Sequence, residues 1–284
     1  MPRPRPRGFT LLELLLAASL TAVLVAAVLM IATRATDLWE RSAGRAEATN
    51  AGQRILDQVE RDLQCAGPVE PSDVWLTVHL GEPPGASSIR LGGETVGADR
   101  FGPGTLVLRM VTRNEVLGSQ GETPLPVVVS YRIAQLPVGS GGAPRSVLCR
   151  VETKPEVAFK DGFDLSAAQY ADADDATEPA GDGDLASALE WVIGTGVVDF
   201  GLRIVAGNQL VFPVGPDARE ISLQGRRKRQ GPLEVELMIR VLTLQGSTAV
   251  GALAPGRSAA DWWRAVESGS VVITRRVMIV GAGA

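Results

Sequence analysis

The chain has 284 residues, of which 45% are hydrophobic and 21% charged, a composition ordinary for one large globular domain or two small ones. Its formal net charge of -4 argues against a general nucleic-acid binder, which is usually basic. One histidine and two cysteines are too few for a disulfide scaffold or for a zinc site built from cysteines alone.

The first eight residues carry three arginines and no acid, and a long apolar segment follows them. Residues 14–32 contain no charge, and as a helix they would extend roughly 28 Å, about the thickness of the hydrocarbon core of a membrane. Arginines before such a segment predict that the N-terminus stays in the cytoplasm and that the rest is exported. A cleaved secretory signal needs a shorter apolar core and a small-residue site directly after it. We therefore predict a retained, single-pass membrane anchor.

Glu13 lies near the start of this apolar segment, where an ionised carboxylate is costly. The residues alone leave two explanations open. The side chain could extend to the headgroups at the cytoplasmic surface, or it could have a partner or a function within the membrane.

The stretch GFTLLEL, residues 8–14, resembles the class III leader of type IV pilins and type II secretion pseudopilins. In that family a short basic leader ends in glycine, phenylalanine follows, and glutamate is the fifth residue of the mature chain. The resemblance implies that a prepilin peptidase cleaves between Gly8 and Phe9 and methylates the new amino group of Phe9. It also implies that Glu13 pairs with the terminal amine of a neighbouring subunit, since two buried charges cost less together than apart.

The helical pattern continues beyond the apolar segment, and Gly67 and Pro68 end it. A coiled-coil dimer is an alternative, but strict heptads are missing. No proline interrupts residues 9–67, and Gly44 and Gly52 are weak points that cost about 1 kcal/mol each relative to alanine. The predicted packing face of this amphipathic part contains Ala35, Leu38, Trp39, Ser42, Ala46, Thr49, Gln53, Leu56, Val59 and Leu63.

After residue 71 the sequence alternates with period two, as in strands that have one buried and one solvated face. The strongest case runs from Leu233 to Val241, with Glu234, Glu236, Met238 and Arg240 predicted on the solvated face. Further strands are predicted at 106–110, 127–133, 147–151, 197–205 and 271–280. The pattern predicts an α+β fold with a long N-terminal helix packed on an antiparallel β-sheet head, as in pilins.

Four segments follow from this interpretation. Residues 1–8 form the leader peptide, 9–32 the transmembrane half of the helix, 33–66 its amphipathic half, and 67–284 the β-rich periplasmic head.

The head resembles the J-type minor pseudopilin of type II secretion through ILDQVERDLQ at 55–64, the strands VVVSYRI and SVLCRVE, and the closing PLEVELMIRV and VVITRRVMIV. Long insertions around 81–104 and 161–190 depart from it. The resemblance implies a subunit of the bacterial inner membrane, without enzymatic activity or cofactor, that assembles into a periplasmic pseudopilus for protein export.

The partners implied by this resemblance are other minor pseudopilins, the major pseudopilin, the prepilin peptidase and an inner-membrane assembly platform. No nucleic acid is expected among them. Two alternatives remain open from the residues: a minor type IV pilin of a pilus or DNA-uptake machine, and a membrane-anchored periplasmic enzyme.

Two charged stretches are candidate binding sites. Residues 171–184 carry six carboxylates, and calcium binds oxygen ligands on such loops, although the spacing is not that of an EF-hand and a solvated loop is favoured. The stretch GRRKRQG, residues 225–231, could contact nucleic acid or lipid headgroups, but flanking glycines between two strands favour a charged hairpin tip. The calcium candidates are Asp172, Asp174, Asp182 and Asp184, and the basic residues are Arg226, Arg227, Lys228 and Arg229.

Several single residues complete the set of candidates. Cys65 and Cys149 could pair in an oxidising compartment, although separate thiols are slightly favoured. A short helix is predicted at 258–268, where adjacent Trp262 and Trp263 cannot both face one core. Either one of them is an exposed anchor for a partner, or the pair simply packs against the sheet. His79 lies in a strand-like run and is interpreted as structural.

Overall fold

The computed structural model describes residues 10–70, 72, 74–81, 105–113, 126–137, 144–153, 162–165, 191–207, 209–214, 220–224, 233–252 and 259–279. The chain divides into two compact units, Met1–Ala46 and Glu47–Ala284. One long helix, α1, runs from Leu11 to Gln64.

Helix α1 has different surroundings along its sequence. In the first unit its large apolar side chains are exposed, including Leu38 and Trp39 at 65% and 77%. The predicted packing face is therefore wrong before residue 48, because the buried face begins only at Ala48. The predicted residues that are exposed are Ala35, Leu38, Trp39, Ser42, Ala46 and also Gln53. From there one face is covered at the spacing expected for a packed helix. Its buried residues are Ala48, Gly52, Ile55, Leu56, Val59, Asp62 and Leu63.

The second unit contains two antiparallel sheets. The larger has six strands in the order β5-β4-β3-β2-β1-β8, and the smaller has four in the order β10-β9-β6-β7. The strands are β1 (Val74–Gly81), β2 (Thr105–Arg113), β3 (Pro126–Pro137), β4 (Pro144–Glu152), β5 (Val192–Thr195), β6 (Val197–Ala206), β7 (Gln209–Phe212), β8 (Glu220–Gln224), β9 (Leu233–Leu242) and β10 (Ser270–Ile279). Two short helices, α2 (Leu244–Gly251) and α3 (Ala259–Gly269), connect β9 to β10.

The predicted α+β class is confirmed, as are the six predicted strands and the short helix at 258–268. The strands missed as separate elements include β5, β7 and β8, which have only four or five residues each. The single predicted sheet is in fact two sheets. The alternation along a strand reports which face is buried, but it does not report which strands are neighbours.

The largest hydrophobic core combines residues of both sheets with the buried face of α1. Helix and strands approach closely at two glycines. A Cβ atom on Gly52 of α1 would lie 2.1 Å from Ile273 Cδ1 of β10, and a Cβ on Gly194 of β5 would lie 2.3 Å from Ile55 Cδ1 of α1. Gly52 therefore does more than weaken the helix, because its missing side chain makes room for the smaller sheet.

Helices α2 and α3 also meet through glycines. Thr243 caps α2 by accepting a hydrogen bond from Gly246 N, and its hydroxyl donates to Gly269 O at 3.0 Å. A Cβ on Gly246 would lie 1.9 Å from that same carbonyl oxygen, whereas a Cβ on Gly251, at the end of the same helix, would meet nothing within 4 Å.

We expect Gly246→Ala to lower the free energy of unfolding of the head by about 2 kcal/mol, because the new methyl group overlaps backbone that cannot rotate away. Gly251→Ala is the matched control, and it should be neutral or slightly stabilising because alanine favours a helix over glycine. Urea unfolding of the full chain in detergent, followed by tryptophan fluorescence, measures both. Equal midpoints for the two variants would show that the contact between Gly246 and Gly269 does not constrain the fold.

Candidate functional site

The N-terminal end of α1 is closed by a reciprocal pair of side chains. Thr10 N donates to Glu13 Oε2 at 3.0 Å, and the Thr10 hydroxyl lies 3.1 Å from the same oxygen. Glu13 N in turn donates to Thr10 Oγ1 at 3.3 Å. This is a capping box, in which a Thr before the helix and a Glu three residues later satisfy backbone N–H groups at the helix start.

The capping box gives the Glu13 carboxylate two donors from its own chain, at the helix end where a negative charge is favoured. Neither of the two explanations that the sequence left open included this local role. Gly8 and Phe9 lie outside the described residues, and the part of Glu13 in assembly stays a prediction.

The residues that follow Glu13 present apolar side chains all round the helix. The large ones from Leu11 to Ile31 are all exposed. By length and composition, α1 contains a segment able to cross a membrane, and no residue of its most apolar window is buried. An apolar helix surface without protein around it is typical of a membrane anchor.

The last turns of α1 are joined to the larger sheet by a buried ionic cluster. Asp62 of α1 accepts a hydrogen bond from the Tyr131 hydroxyl of β3. Arg150 of β4 places Nε 2.7 Å from Asp62 Oδ2 and a second nitrogen 3.3 Å from Oδ1. Glu152 holds the remaining side of the guanidinium at 2.5 Å. Asp62 is 5% exposed, so its charge depends on these partners.

The electrostatics of the cluster follow from its burial. Burial raises the pKa of the Tyr131 hydroxyl, and the charge of Asp62 raises it further. Burial acts to lower the pKa of Arg150, but the hydrogen bond to Asp62 and its negative charge outweigh that effect and raise the pKa. The phenol therefore stays protonated and the guanidinium stays charged.

A second ionic link joins the same part of α1 to the smaller sheet. Arg275 of β10 contacts the carboxylates of Asp57 and of Glu60, the latter at 2.9 Å. The hydrogen bond to Asp57 is the largest influence that raises the pKa of Arg275. The Asp57 side chain is 55% exposed, so this link is far more solvated than that of Asp62.

The tryptophan pair at the start of α3 is divided between two environments. Trp263 is buried, its Nε1 donates to Glu267 at 3.0 Å, and the Arg240 guanidinium lies 5.1 Å from its ring centroid. Trp262 is half-buried. The prediction that Met238 faces solvent is wrong, since Met238 is buried on the face of β9 where Trp263 covers Arg240.

The other predicted site residues are not brought together. Cys65 is exposed and Cys149 is buried, no disulfide joins them, and burial raises the pKa of the Cys149 thiol. His79 is exposed on β1, across from Val107 on one side and Glu220 on the other. Within the described parts of the chain, no group of three or more His, Cys, Asp or Glu side chains could hold a metal ion.

The two charged stretches, with the calcium candidates Asp172, Asp174, Asp182 and Asp184 in one and Arg226 to Arg229 in the other, lie outside the described residues. The strands that flank residues 225–231 are described, and β8 pairs with β1 whereas β9 pairs with β6 and β10. The two described strands on either side, β8 and β9, therefore belong to different sheets and do not pair with each other as a hairpin.

Comparison with known proteins bears on the N-terminus. Residues 3–29 match the family described as the prokaryotic N-terminal methylation motif, a range that includes Gly8, Phe9 and Glu13. No curated protein matches the chain. Among solved structures the chain is similar to a type IV-like pilin from Thermus thermophilus, with 12% identity over 81% of this chain and 96% of that chain and a TM-score of 0.33.

The chain thus carries an N-terminal methylation motif over residues 3–29, followed by an apolar helix and a head of antiparallel sheets. The match identifies this N-terminal motif and does not identify a particular subunit.

Sequence reasoning missed the ionic cluster around Asp62, although signals for it were present. Asp62 interrupts the apolar spacing formed by Leu56, Val59 and Leu63. Arg150 lies two residues after buried Leu148 and therefore on the same face of β4. Tyr131 likewise lies two residues after buried Val129 on β3. A charge at a core-facing position requires a partner, but the sequence does not state which strand supplies it.

We expect Asp62→Asn to lower the free energy of unfolding by about 3 kcal/mol, because it leaves the partly buried Arg150 without its carboxylate. Asp57→Asn is the matched control, since Asp57 is an exposed carboxylate on the same helix as Asp62, and its loss from Arg275 of β10 should cost less than about 1 kcal/mol. Urea unfolding of the full chain in detergent compares them. Similar losses in both variants would contradict a special role for the buried pair.

The raised pKa of Tyr131 predicts a loss of stability in alkali. Above about pH 10 the unfolded chain releases the phenolic proton that the folded chain retains, so the free energy of unfolding falls as pH rises, by up to about 1.4 kcal/mol per unit. Tyr131→Phe should remove this part of the slope between pH 9 and 11, measured as the shift of the urea midpoint. An unchanged slope would mean that Tyr131 ionises as readily in the folded chain.

Proposed function

We propose that this protein is a minor pseudopilin of a type II secretion system, of the J type. The observation that carries the proposal is the N-terminal methylation motif over residues 3–29, with Gly8, Phe9 and Glu13 in its range and an exposed apolar helix directly after it. The cues in the head, from ILDQVERDLQ to the closing strands, support the subtype.

Maturation begins with the chain in the inner membrane, its arginine-rich leader in the cytoplasm and its head in the periplasm. A prepilin peptidase cleaves after Gly8 and methylates the amino group of Phe9. Removal of residues 1–8 deletes three arginines and leaves the new amine on Phe9, directly before Thr10 and four residues before Glu13.

Glu13 then sets the position of one subunit beside the next. The hydrogen bonds from Thr10 hold the carboxylate at the helix start, where it is partly neutralised by the helix dipole. On assembly, the positively charged amine of a neighbouring subunit supplies a full counter-charge. A charged pair inside the membrane is much less costly than either charge alone, so a mismatched axial position is disfavoured.

The head supplies the surface that other subunits recognise. Its partners are other minor pseudopilins and the major pseudopilin, and an inner-membrane platform feeds the subunits into the fibre. Ionic links to both sheets fix the last turns of α1 within the head, so that a force on this part of the helix is transmitted to the sheets.

The intact mass of the membrane-purified chain, co-expressed with an active prepilin peptidase, tests this proposal. We expect loss of residues 1–8 together with the addition of one methyl group. Gly8→Ala should retain the full leader, because the peptidase requires glycine before the cleaved bond in this family. Glu13→Gln should still be processed, but it should fail to join a pseudopilus when the other subunits are co-expressed.

An uncleaved N-terminus in the presence of a peptidase that processes a known prepilin would overturn the proposal. It would favour a membrane-anchored protein of another function, which would tolerate changes at Gly8 and Glu13. A processed chain that enters a surface pilus and no secretion pseudopilus would retain the class and refute the subtype.

A further inference from the structure

The two sheets of the head have four end strands, and one of these strands differs from the other three. Strands β5, β7 and β8 have four, four and five residues, and each pairs with its neighbour through a register shift. Strand β10 has ten residues, contains no proline or glycine, and pairs with β9 in one unbroken register. Short or irregular end strands protect a sheet against pairing with other chains, and β10 lacks both protections.

The outer edge of β10 offers backbone groups for pairing. Within the described residues, the backbone of β10 pairs with β9 alone, and β10 ends the smaller sheet. In an antiparallel strand, alternate residues direct their N–H and C=O groups to the same side, so about half of these groups in β10 face away from β9. An added strand from another chain satisfies such a row of donors and acceptors.

The outer face of β10 presents a defined series of exposed side chains. Val272 and Met278 are 45% and 48% exposed, and Thr274 is exposed between them. Arg276 is the charged residue of the series, and 73% of its side chain is exposed. The inner face differs, since Val277 is buried in the core. An added strand would therefore meet an apolar, a polar, a cationic and a second apolar side chain on its outer face.

A row of alternating charge crosses the smaller sheet and ends at Arg276. Arg203 of β6 lies opposite Glu236 of β9, and Glu236 lies opposite Arg276. The Nε atom of Arg276 lies 2.8 Å from Glu236 and 3.3 Å from Glu234. The terminal nitrogens of Arg276 donate no hydrogen bond within the described part of the chain. The next position across the sheet therefore suits a carboxylate, which a guanidinium can bind through two nitrogens.

We propose that β10 receives an extended segment of a partner protein as an additional antiparallel strand, with a carboxylate opposite Arg276 and apolar side chains opposite Val272 and Met278. Backbone hydrogen bonds supply the affinity of such a contact, and the alternate side chains supply its specificity. The inference goes beyond the maturation and assembly proposed above and does not depend on them.

A second copy of this chain fits the edge poorly. Strand β10 contains no acidic residue, so that β10 of another copy offers Arg276 no carboxylate. In one of the symmetric antiparallel pairings that use most of the strand, Arg275 also lies opposite Arg275 of the other copy. Like charges in directly opposite positions destabilise a strand pair. A different protein with an acidic residue in its strand is therefore the occupant.

Binding of a synthetic strand to the full chain in detergent tests the proposal. The probe is the fluorescein-labelled peptide Val-Thr-Glu-Thr-Thr-Thr-Val, in which glutamate lies opposite Arg276, and the valines opposite Met278 and Val272, when it pairs antiparallel. A second peptide has glutamine in place of glutamate. Two further peptides carry N-methyl groups on one or the other set of alternate amides, which removes the donors of one edge only.

We expect saturable binding of the glutamate peptide below about 1 mM, measured by fluorescence anisotropy. The glutamine peptide should bind the unaltered chain at least about fivefold more weakly, and Arg276→Gln should abolish this difference to within about twofold. Arg264→Gln is the matched control, because Arg264 of α3 is also an exposed arginine that contacts a carboxylate. This variant should bind both peptides as the unaltered chain does.

The N-methylated peptides distinguish strand addition from contact through side chains alone. One of them should bind nearly as well as the glutamate peptide, and the other at least about tenfold more weakly, because only one set of amides faces β10. Hydrogen exchange in residues 270–279, measured by mass spectrometry, should slow at least about threefold when the glutamate peptide is bound.

No saturable binding, equal binding of the two N-methylated peptides, or equal binding of the glutamate and glutamine peptides would overturn the inference. A loss of the difference with Arg264→Gln would overturn it as well, because general charge would then explain the binding. Protection of residues 270–279 in the chain alone, increasing with its concentration, would also contradict it, since a second copy would then occupy the edge.

Discussion

The head depends on the interaction of the buried Asp62 carboxylate with Arg150 and Tyr131. An uncompensated charge in that position costs several kcal/mol, so the protein must place Arg150 and Tyr131 within hydrogen-bond reach. This requirement ties the last turns of α1 to two adjacent strands of the larger sheet. On the other sheet, Arg275 holds Asp57 and Glu60 of the same turns. The helix end is therefore fixed by charge from both sheets while its apolar face fills the core between them.

Close packing accompanies these ionic links. The absence of side chains at Gly52 and Gly194 allows Ile273 and Ile55 to fill the space between helix and sheets. A helix interior normally disfavours glycine, because glycine loses more conformational freedom on folding than alanine does. At Gly52 that cost is offset by the burial of isoleucine against the helix backbone. The residue thus belongs to the contact surface, whereas the sequence had suggested a weak point.

Much of the architecture could be predicted from the sequence, for physical reasons that also explain the errors. Alternation identified β9 because one of its faces is apolar, but it misplaced Met238, which is buried on the opposite face, where Trp263 of α3 lies over Arg240. The apolar spacing of α1 identified Leu56, Val59 and Leu63. It could not show where packing begins, because Leu38 and Trp39 satisfy the same spacing and remain exposed.

The candidate site also has parts that the sequence could predict and parts that it could not. The leader motif was recognisable because its chemistry lies in consecutive residues, and the capping box of Thr10 and Glu13 is equally local. The cluster of Asp62 unites residues 69 and 88 positions apart, and such partners emerge only from the fold. Prediction from one sequence therefore succeeds where a site is formed by consecutive residues of one helix. It fails where the site depends on which strands are adjacent.

Three consecutive parts of helix α1 differ in the surroundings that suit them. Its apolar first part suits lipid, its exposed charges at 34–45 suit water, and its face from Ala48 to Leu63 suits a protein core. A change in one part need not disturb the others, because each is stabilised by a different medium. The fold of the head does not depend on the surroundings of the apolar part, since the ionic links that hold the helix end lie within the second unit.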